Sequence, residues 1–349
     1  MPEKQVCKLS GHKHLNLALQ GGGAHGAFTW GVLDRLLEED SLSIDGITAT
    51  SAGAMNAALA VYGIAKGGAA NGVSEAKKAM DMFWRKVSAA AVLSPLQPTI
   101  FDKMMGNTDM SMSPSFMAMD YLTRMFSPYQ LNYFDLNPLE DVLKEVIDFD
   151  ILQQSNKRLF INATNVLSGK IKVFEVHEID AKVLMASACL PFIFKTVEID
   201  GQPYWDGGYS GNPALFPLIY SCNSTDVLIV QINAVNIDHV PTTANDIMNR
   251  VNEISFNSNL MREVRAISFV SKLLKKGKVK EDEYKDIRLH LIEADEIMAG
   301  LGHASKFNAD WDFLVHLKEI GRQSAEDWVK KNAAKVGCES SVDIKDYFL

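Results

Sequence analysis

The sequence predicts an α/β fold, a three-layer αβα sandwich in which a mostly parallel central sheet is covered by helices on both faces. Strand-like and helix-like segments alternate at both ends of the chain, which is typical of parallel or mixed sheets buried on both sides. Of the 349 residues, 47% are hydrophobic and 22% are charged, a composition that supports a sizeable core. We expect an N-terminal tail of residues 1–14 and a single domain over residues 15–349.

Two strand–turn–helix units come first. An apolar run at residues 15–19 leads into the sequence Q-G-G-G-A-H-G, and apolar residues at helical spacing indicate the helix that follows. A second run at residues 47–50 leads into S-A-G-A and a helix of small residues, predicted over residues 52–62. A glycine-rich break separates that helix from another one, predicted over residues 74–88.

The later elements are predicted from turn chemistry and hydrophobic runs. The sequence L-S-G-K at residues 167–170 indicates a hairpin, and Asp200 with Gly201 is a typical type I′ turn pair. We expect residues 236–349 to extend the domain with helices and a strand. The predicted strands are 158–166, 171–176, 196–199, 202–205, 226–232 and 287–292, and the predicted helices are 247–274 and 309–331.

The segment at residues 89–138 differs in character, because methionines are concentrated there among prolines, serines, asparagines and aromatic residues. Two interpretations remain open. The segment is an irregular part of the core, or it is a pliable cap over an apolar site, since thioethers adapt to varied chains. The methionines are Met104, Met105, Met110, Met112, Met117, Met119 and Met125. The aromatic residues that could line an apolar groove are Phe101, Phe116, Tyr121, Phe126 and Tyr129.

Charge and cysteine content limit the class of protein. The net charge is −8 and no basic tract stands out, so we expect no nucleic-acid partner. The four cysteines lie far apart without a C-x-x-C pair, which indicates reduced thiols and a cytoplasmic protein. The N-terminus lacks the apolar core of a signal peptide, and no apolar stretch is clean enough for a transmembrane helix. Peripheral contact with a membrane surface stays open.

The glycine-rich turn at residues 21–26, G-G-G-A-H-G, has two interpretations; we call it the glycine loop. Its G-x-G-x-x-G spacing matches a dinucleotide site, but Asp45, the acidic residue at the required distance, precedes the second strand instead of ending it. Alternatively, consecutive glycines let several backbone N–H groups point into one cavity in front of a helix N-terminus. Such donors stabilise an acyl oxygen that becomes negative, as in an oxyanion hole.

Ser51 follows a strand and precedes a helix, as a nucleophile elbow requires. Ala52 and Gly53 keep the tight turn free of clashes, and Ala49 stands where the G-x-S-x-G motif has its first glycine. The competing interpretation is that Ser51 only caps the helix. The glycine loop one strand away favours the nucleophile.

The base that would activate this serine is less obvious. None of the histidines lies in a turn typical of a catalytic residue; they are His12, His14, His25, His177, His239, His290, His303 and His316. Asp206 is the stronger candidate, because it follows a predicted strand and is itself followed by Gly207 and Gly208. In isolation this sequence is more typical of an ordinary turn.

Taken together, four motifs resemble those of the patatin-like phospholipase family and occur in the family's order. They are the glycine loop, T-S-A-G at residues 50–53, A-S-x-x-x-P-x-x-F at residues 186–194, and D-G-G at residues 206–208 with N-P at residues 212–213. The resemblance covers roughly residues 15–235. Family members usually carry Arg or Lys where His25 stands and Gly where Ala49 stands.

This resemblance implies a Ser–Asp dyad with Ser51 as nucleophile and Asp206 as base. It further implies an oxyanion loop of Gly21, Gly22, Gly23 and Ala24. The supporting residues would be His25, Gly26, Ala49, Gly53, Gly207 and Gly208. A carboxylate with an ordinary pKa near ~4 is a weak base for serine, so we expect an apolar site that raises the aspartate pKa.

The function that follows is lipid acyl hydrolysis of the phospholipase A or lysophospholipase type, with a phospholipid or another acyl ester as substrate and without a metal or cofactor. Three alternatives stay open: a carboxylesterase or thioesterase for soluble acyl esters, a non-catalytic lipid-binding scaffold, and the nucleotide-binding protein.

Overall fold

The structure is a computed structural model, and it describes residues 12–92, 94, 97–98, 108–132, 135–280 and 283–349. Within these residues the strands form one eight-stranded sheet. The strands are β1 (Lys13–Leu19), β2 (Leu42–Ala49), β3 (Arg158–Asn165), β4 (Ile171–Glu175), β5 (Val197–Ile199), β6 (Gln202–Asp206), β7 (Asp226–Val230) and β8 (Arg288–Ile292).

The strand order is β5-β6-β3-β2-β1-β7-β8, and β4 pairs with β3 beside this path. Strands β3, β2, β1, β7 and β8 run parallel, whereas β4, β5 and β6 pair antiparallel. The sheet is therefore mixed and mostly parallel, as predicted. The helices are α1 (Gly26–Leu36), α2 (Ala52–Ala91), α3 (Pro114–Met125), α4 (Pro128–Leu131), α5 (Pro138–Val146), α6 (Phe149–Gln153), α7 (Ala181–Ser187), α8 (Phe216–Ser221), α9 (Ala244–Lys275), α10 (Asp295–Ala299), α11 (Trp311–Asn332) and α12 (Ile344–Phe348).

Alternate residues of the central strands face two separate apolar layers. Leu17 and Leu19 of β1 pack in the larger cluster with side chains of α1, α2, α7 and α11. Ala18, between them, packs in a second cluster with side chains of α8, α9 and α12. Both faces of the sheet are thus covered by helices, which confirms the predicted three-layer αβα sandwich.

Two turn predictions are confirmed by backbone geometry. Asp200 and Gly201 have φ values of 51° and 71°, as a type I′ turn between β5 and β6 requires. The glycine-rich break in α2 is found at Gly68, whose φ of 59° interrupts the helical backbone. Only a residue without a Cβ adopts that conformation at low cost.

Two expectations differ from the structure. The N-terminal tail is shorter than predicted, because Lys13 and His14 pair with β2 as part of β1. Cys338 is disulfide-bonded, so the expectation of reduced thiols is wrong for that residue, whereas Cys189 and Cys222 are free and buried. Thiol content therefore no longer argues for a cytoplasmic location. Phe101, Met104, Met105 and residues 1–11 of the predicted tail lie outside the described residues.

Candidate active site

Strand register brings Ser51 and Asp206 to the same level of the sheet. Ala49, at the end of β2, pairs with Ile161 of β3, and Asp206, at the end of β6, pairs with Ala163 two residues further along β3. Ser51 lies two residues beyond Ala49, so it reaches the level of Ala163. Both side chains line one cavity there, and the Ser51 side chain interacts with the Asp206 carboxyl in a way that lowers the carboxyl pKa.

Ser51 occupies a strained turn between β2 and α2. Its φ of 55° and ψ of −125° lie in a region that residues with a side chain rarely adopt. The Ser51 amide donates to Ser187 Oγ at 2.9 Å, and Ser187 Oγ donates in turn to the carbonyl of Asn162 at 2.7 Å. The Ser51 side chain makes no capping hydrogen bond to α2, so the helix-cap interpretation does not account for its hydroxyl.

Glycines allow the two strand–turn–helix units to approach closely. A Cβ on Gly53 would lie 2.6 Å from the backbone carbonyl oxygens of both Leu19 and Gln20. A Cβ on Gly21 would lie 2.5 Å from the Cβ of Ser51. Side chains at either position would push the glycine loop away from the serine turn.

The two other supporting positions in this part of the chain, Gly26 and Ala49, are buried. A Cβ on Gly26 would lie 2.5 Å from the Cβ of Ala52, so the first turns of α1 and α2 touch there. Ala49 packs in the larger core cluster, and its carbonyl accepts from Asn162 Nδ2 at 3.1 Å. The extra methyl of alanine is therefore accommodated at the end of β2.

Asp206 is a buried carboxyl group at the end of β6, with 2% of its surface exposed. Burial raises its pKa to about 7, while the hydrogen bond from the Gly208 amide, at 2.7 Å, and the neighbouring Ser51 side chain act in the opposite direction. Gly207 and Gly208 permit this turn, because a Cβ on Gly208 would lie 1.9 Å from the ring of Phe256. The raised pKa agrees with the expectation from the sequence.

Hydrogen bonds from distant asparagines fix the start of the glycine loop. The Gly21 amide donates to Asn212 Oδ1 at 2.7 Å, and the Gly21 carbonyl accepts from Asn233 Nδ2 at 2.9 Å. Gly23 has a φ of 60° and begins a short 3-10 turn, Gly23–His25, that continues into α1. The first N–H groups of a helix have no acceptor within it. The loop residues that line a cavity together with Ser51 and Asp206 are Gly21, Gly22, Gly23 and Ala24.

His25 lies behind the loop. It is buried, its Nε2 hydrogen bonds Ser305 Oγ at 2.8 Å, and its ring packs edge-on against Phe313. None of the described residues lining the cavity is a histidine. His25 therefore connects the glycine loop to the C-terminal part of the chain.

The cavity over the dyad has a volume of about 270 Å³. Apart from the loop and the dyad, its walls are mainly apolar. The large apolar side chains are Met55, Phe83, Trp84, Leu190, Phe194, Phe256 and Phe307. Among the described residues, no group of three or more His, Cys, Asp or Glu side chains is arranged to hold a metal ion.

An apolar groove of about 610 Å³ adjoins this cavity. The cavity and the groove share Leu190, Asn252, Phe256 and Phe307 as lining residues. The far side of the groove is formed by the methionine-rich segment, with Phe116, Met119, Met125 and Phe126. Part of the predicted apolar lining therefore lies within reach of the dyad.

Asp45 does not support the nucleotide-binding interpretation. Its carboxylate pairs with Arg158 at 2.8 Å and accepts from the amides of Asn223 and Ser224 at 2.6 and 2.8 Å. These contacts hold the start of β2 against the chain before β7. A ribose hydroxyl would have to displace them.

Several residues of this site were not predicted from the sequence. Ser187 lies in a motif of the family resemblance, but its hydrogen bond to the Ser51 amide was not anticipated. Asn233 and Lys306 lie far beyond the motifs, where no local pattern distinguishes them. Both line the cavity, and Lys306 Nζ donates to Asn233 Oδ1 at 2.9 Å.

Comparison with known proteins identifies the family. Among solved structures, the crystal structure of VipD from Legionella pneumophila aligns with a TM-score of 0.36 and 14% identity, over 89% of this chain and 67% of VipD. No curated protein matches the chain. A family model described as patatin-like phospholipase matches residues 17–219, more than half of the chain, and supports lipid acyl hydrolase activity in general. The chain belongs to the patatin-like phospholipase family.

Proposed function

We propose that the protein is a serine-dependent lipid acyl hydrolase of the phospholipase A or lysophospholipase type. The observation that carries this proposal is that Ser51, the buried Asp206 carboxyl and the glycine loop line the same cavity, where the Ser51 side chain interacts with that carboxyl. Nucleophile, base and backbone donors line one apolar cavity, which is the set of groups that acyl transfer needs.

In the first half of the reaction, Ser51 Oγ attacks the ester carbonyl while Asp206 accepts the hydroxyl proton. The tetrahedral intermediate collapses to an acyl-serine, and Asp206 returns the proton to the leaving alcohol. In the second half, Asp206 takes a proton from water, which attacks the acyl-serine. The fatty acid leaves and Ser51 regains its proton.

A base with a pKa of about 7 suits this role better than an ordinary aspartate. At neutral pH a large fraction of Asp206 is ionised, and its conjugate acid is weak enough to accept a serine proton in the transition state. Ser51 also lies at the N-terminus of α2, where the helix dipole favours a developing alkoxide.

The oxyanion would be stabilised by amides of the glycine loop, namely those of Gly22, Gly23 and Ala24. A donor of this kind typically contributes about 3 kcal/mol to lowering the barrier. The Gly21 amide is engaged with Asn212, so we assign it the role of holding the loop in place.

The test combines labelling with kinetics. A serine-directed alkyl phosphonate should modify Ser51 in the wild type, as read by peptide mass mapping. Ser51→Ala should abolish both labelling and hydrolysis of a short-chain chromogenic ester, while Ser74→Ala, at an exposed position of α2, should alter neither. Labelling at another residue, or full activity of Ser51→Ala, would exclude the dyad.

Comparison of substrates separates a lipase from an esterase for soluble esters. The apolar cavity and its adjoining groove favour long acyl chains. We expect kcat/KM to rise from four-carbon to longer acyl esters and glycerophospholipids to be cleaved. A strict preference for short esters would support the carboxylesterase alternative.

We also propose that the mouth of the groove touches a lipid surface. Met117, Tyr121 and Met125 of α3 follow each other at intervals of four residues and are 55%, 63% and 61% exposed. Phe126 and Tyr129 continue this apolar face. None of the described helices combines the length and apolar character needed to span a bilayer.

Vesicle binding tests this contact. Met117→Glu with Met125→Glu should weaken binding to neutral phosphatidylcholine vesicles by about tenfold or more, because each buried Met side chain contributes ~1.5–3 kcal/mol. Met82→Glu, at a 45% exposed methionine on α2, is the matched control and should bind normally. Equal vesicle binding by the wild type and the double variant would contradict the proposed contact with a lipid surface.

A further inference from the structure

Lys306 is a cation inside the candidate active site, contributed by a part of the chain that the family model does not cover. It lies in a 3-10 turn, His303–Phe307, that packs against the glycine loop. A Cβ on Gly23 would lie 2.4 Å from the Lys306 carbonyl oxygen, so the two backbones are in contact. Of the described residues that line the cavity, the charged ones are Asp206 and Lys306.

The ammonium group of Lys306 is held close to the loop. Its Nζ donates to Asn233 Oδ1 at 2.9 Å, and Asn233 Nδ2 donates to the Gly21 carbonyl at 2.9 Å. Two successive hydrogen bonds therefore connect the ammonium group to the start of the glycine loop. The amide of Asn233 is neutral, so this hydrogen bond does not neutralise the charge of Lys306.

Lys306 forms no ion pair with any residue that the structure describes. The acidic residue whose charge acts on it, Glu253, is itself paired with Arg250 at 3.1 Å. Burial lowers the pKa of Lys306, and the charge of Glu253 partly offsets this effect. Lys306 is partly buried, and a partly buried cation without a counter-ion is unfavourable, so an anionic ligand would relieve that cost.

We propose that Lys306 is a specificity-determining residue whose ammonium group binds an anionic phosphate oxygen of the substrate, so that the site prefers acyl esters carrying a phosphate over neutral acyl esters. This inference rests on the proposed hydrolase function. The apolar walls accept the acyl chain, and the lysine accepts the charged part of the same molecule. Lysine binds phosphate as a point charge, without the fixed geometry of arginine.

The experiment compares two substrates that differ by the phosphate alone: a monoacylglycerol and the monoacylglycerol phosphate with the same acyl chain, both in neutral detergent micelles. Lys306→Met removes the charge and keeps the length of the side chain, and Lys306→Arg keeps the charge. Lys182→Met, at an exposed position of α7, is the matched control.

The wild type, Lys306→Arg and Lys182→Met should prefer the phosphorylated substrate. Lys306→Met should lose roughly tenfold to hundredfold in kcat/KM on that substrate, mainly through KM, because a charge-assisted hydrogen bond is lost. Its loss in kcat/KM on the neutral substrate, where only the hydrogen bond to Asn233 is removed, should be smaller by roughly fivefold or more than its loss on the phosphorylated substrate. An equal loss on both substrates would overturn the phosphate site. It would mean that Lys306 instead stabilises the oxyanion or the folded structure.

Inhibition of the wild type gives an answer that does not depend on folding of the variants. Dodecyl phosphate, below its micellar concentration, should compete with a soluble chromogenic ester roughly tenfold or more better than dodecanol. Equal inhibition by the two compounds would contradict the proposal while leaving serine-dependent hydrolysis intact. Absence of any Ser51-dependent hydrolysis in the wild type would instead contradict the proposed function itself.

Discussion

The half of the chain that carries the motifs and the half that follows it contribute to the candidate site in different ways. Within residues 17–219, the proposed reacting groups come from short strand–turn–helix or strand–turn segments. The later half contributes side chains over long separations, as in the hydrogen bond of Gln20 with Asn257 and that of His25 with Ser305. Chemistry is therefore encoded locally, whereas the walls and charge of the cavity depend on the whole fold.

The largest expected effect concerns the motif-bearing half. Asp206→Asn should lower kcat by about 10³-fold or more, because an amide cannot accept the serine proton. Activity on a chromogenic ester provides the measurement, and Asp200→Asn, in the exposed β5–β6 turn, is the matched control. Retention of wild-type kcat by Asp206→Asn would show that another group is the base.

Asp206→Asn should also become more stable relative to the wild type as pH rises. Between the pKa of the unfolded chain, near 3.8, and about 7, folded Asp206 keeps a proton that the unfolded chain has released, so the free energy of unfolding declines with pH. Asparagine does not titrate. The advantage of Asp206→Asn over wild type should grow by up to roughly 4 kcal/mol from pH 4 to pH 8.

Chemical denaturation at the two pH values measures this difference. Asp200→Asn, whose carboxyl is exposed, should show a much smaller pH-dependent change relative to wild type. A constant stability difference for Asp206→Asn at both pH values would mean that the carboxyl group does not titrate differently on folding.

The contribution of the later half can be tested at Asn233. Asn233→Ala removes the hydrogen bond to the Gly21 carbonyl and the acceptor of Lys306. We expect kcat/KM to fall roughly tenfold to hundredfold, because a buried hydrogen bond with a charged partner is lost and the loop is released. Asn71→Ala, at an exposed position of α2, should have no effect. Full activity of Asn233→Ala would show that the motifs alone hold the loop.

The smallest expected effect is at the contact behind the loop. Ser305→Ala removes the hydroxyl that hydrogen bonds His25 Nε2. A single hydrogen bond of this kind contributes about 1 kcal/mol, so we expect kcat/KM to fall by about fivefold and the melting temperature to drop by a few degrees. Ser74→Ala again serves as the control. An increase in activity would mean that the contact restrains the loop in an unproductive position.

Features of the structure that depend on residues close together in the sequence were predicted, whereas contacts between residues far apart in the sequence were not. Ser51 and Asp206 were recognisable because each follows a predicted strand and is followed by small residues, and the structure places the two side chains in the lining of one cavity. Their roles remain predictions. The helical layers on both faces of the sheet were predictable for a similar reason, since strand-like and helix-like segments alternate along the chain.

Other features had no local signal. Nothing around Lys306 indicates that its backbone contacts Gly23, because that contact spans most of the chain. His14 was assigned to a tail because it precedes the apolar run, yet its backbone pairs with Ser43 in the sheet. The disulfide at Cys338 was missed because sequence spacing does not determine which thiols meet in space.

Strand β3 positions both Ser51 and Asp206, so the chain between these two residues can vary in length. Thr164 of β3 donates to the Asp206 carbonyl at 2.8 Å, and the same strand sets the level of Ser51, so neither residue depends on the length of the chain between them. The exposed turn at residues 167–170 can accept additional residues without moving β3. Relatives with long insertions in this interval should therefore keep the same spacing between hydroxyl and carboxyl, whereas a one-residue slip of β3 would move its side chains to the opposite face of the sheet and separate the pair.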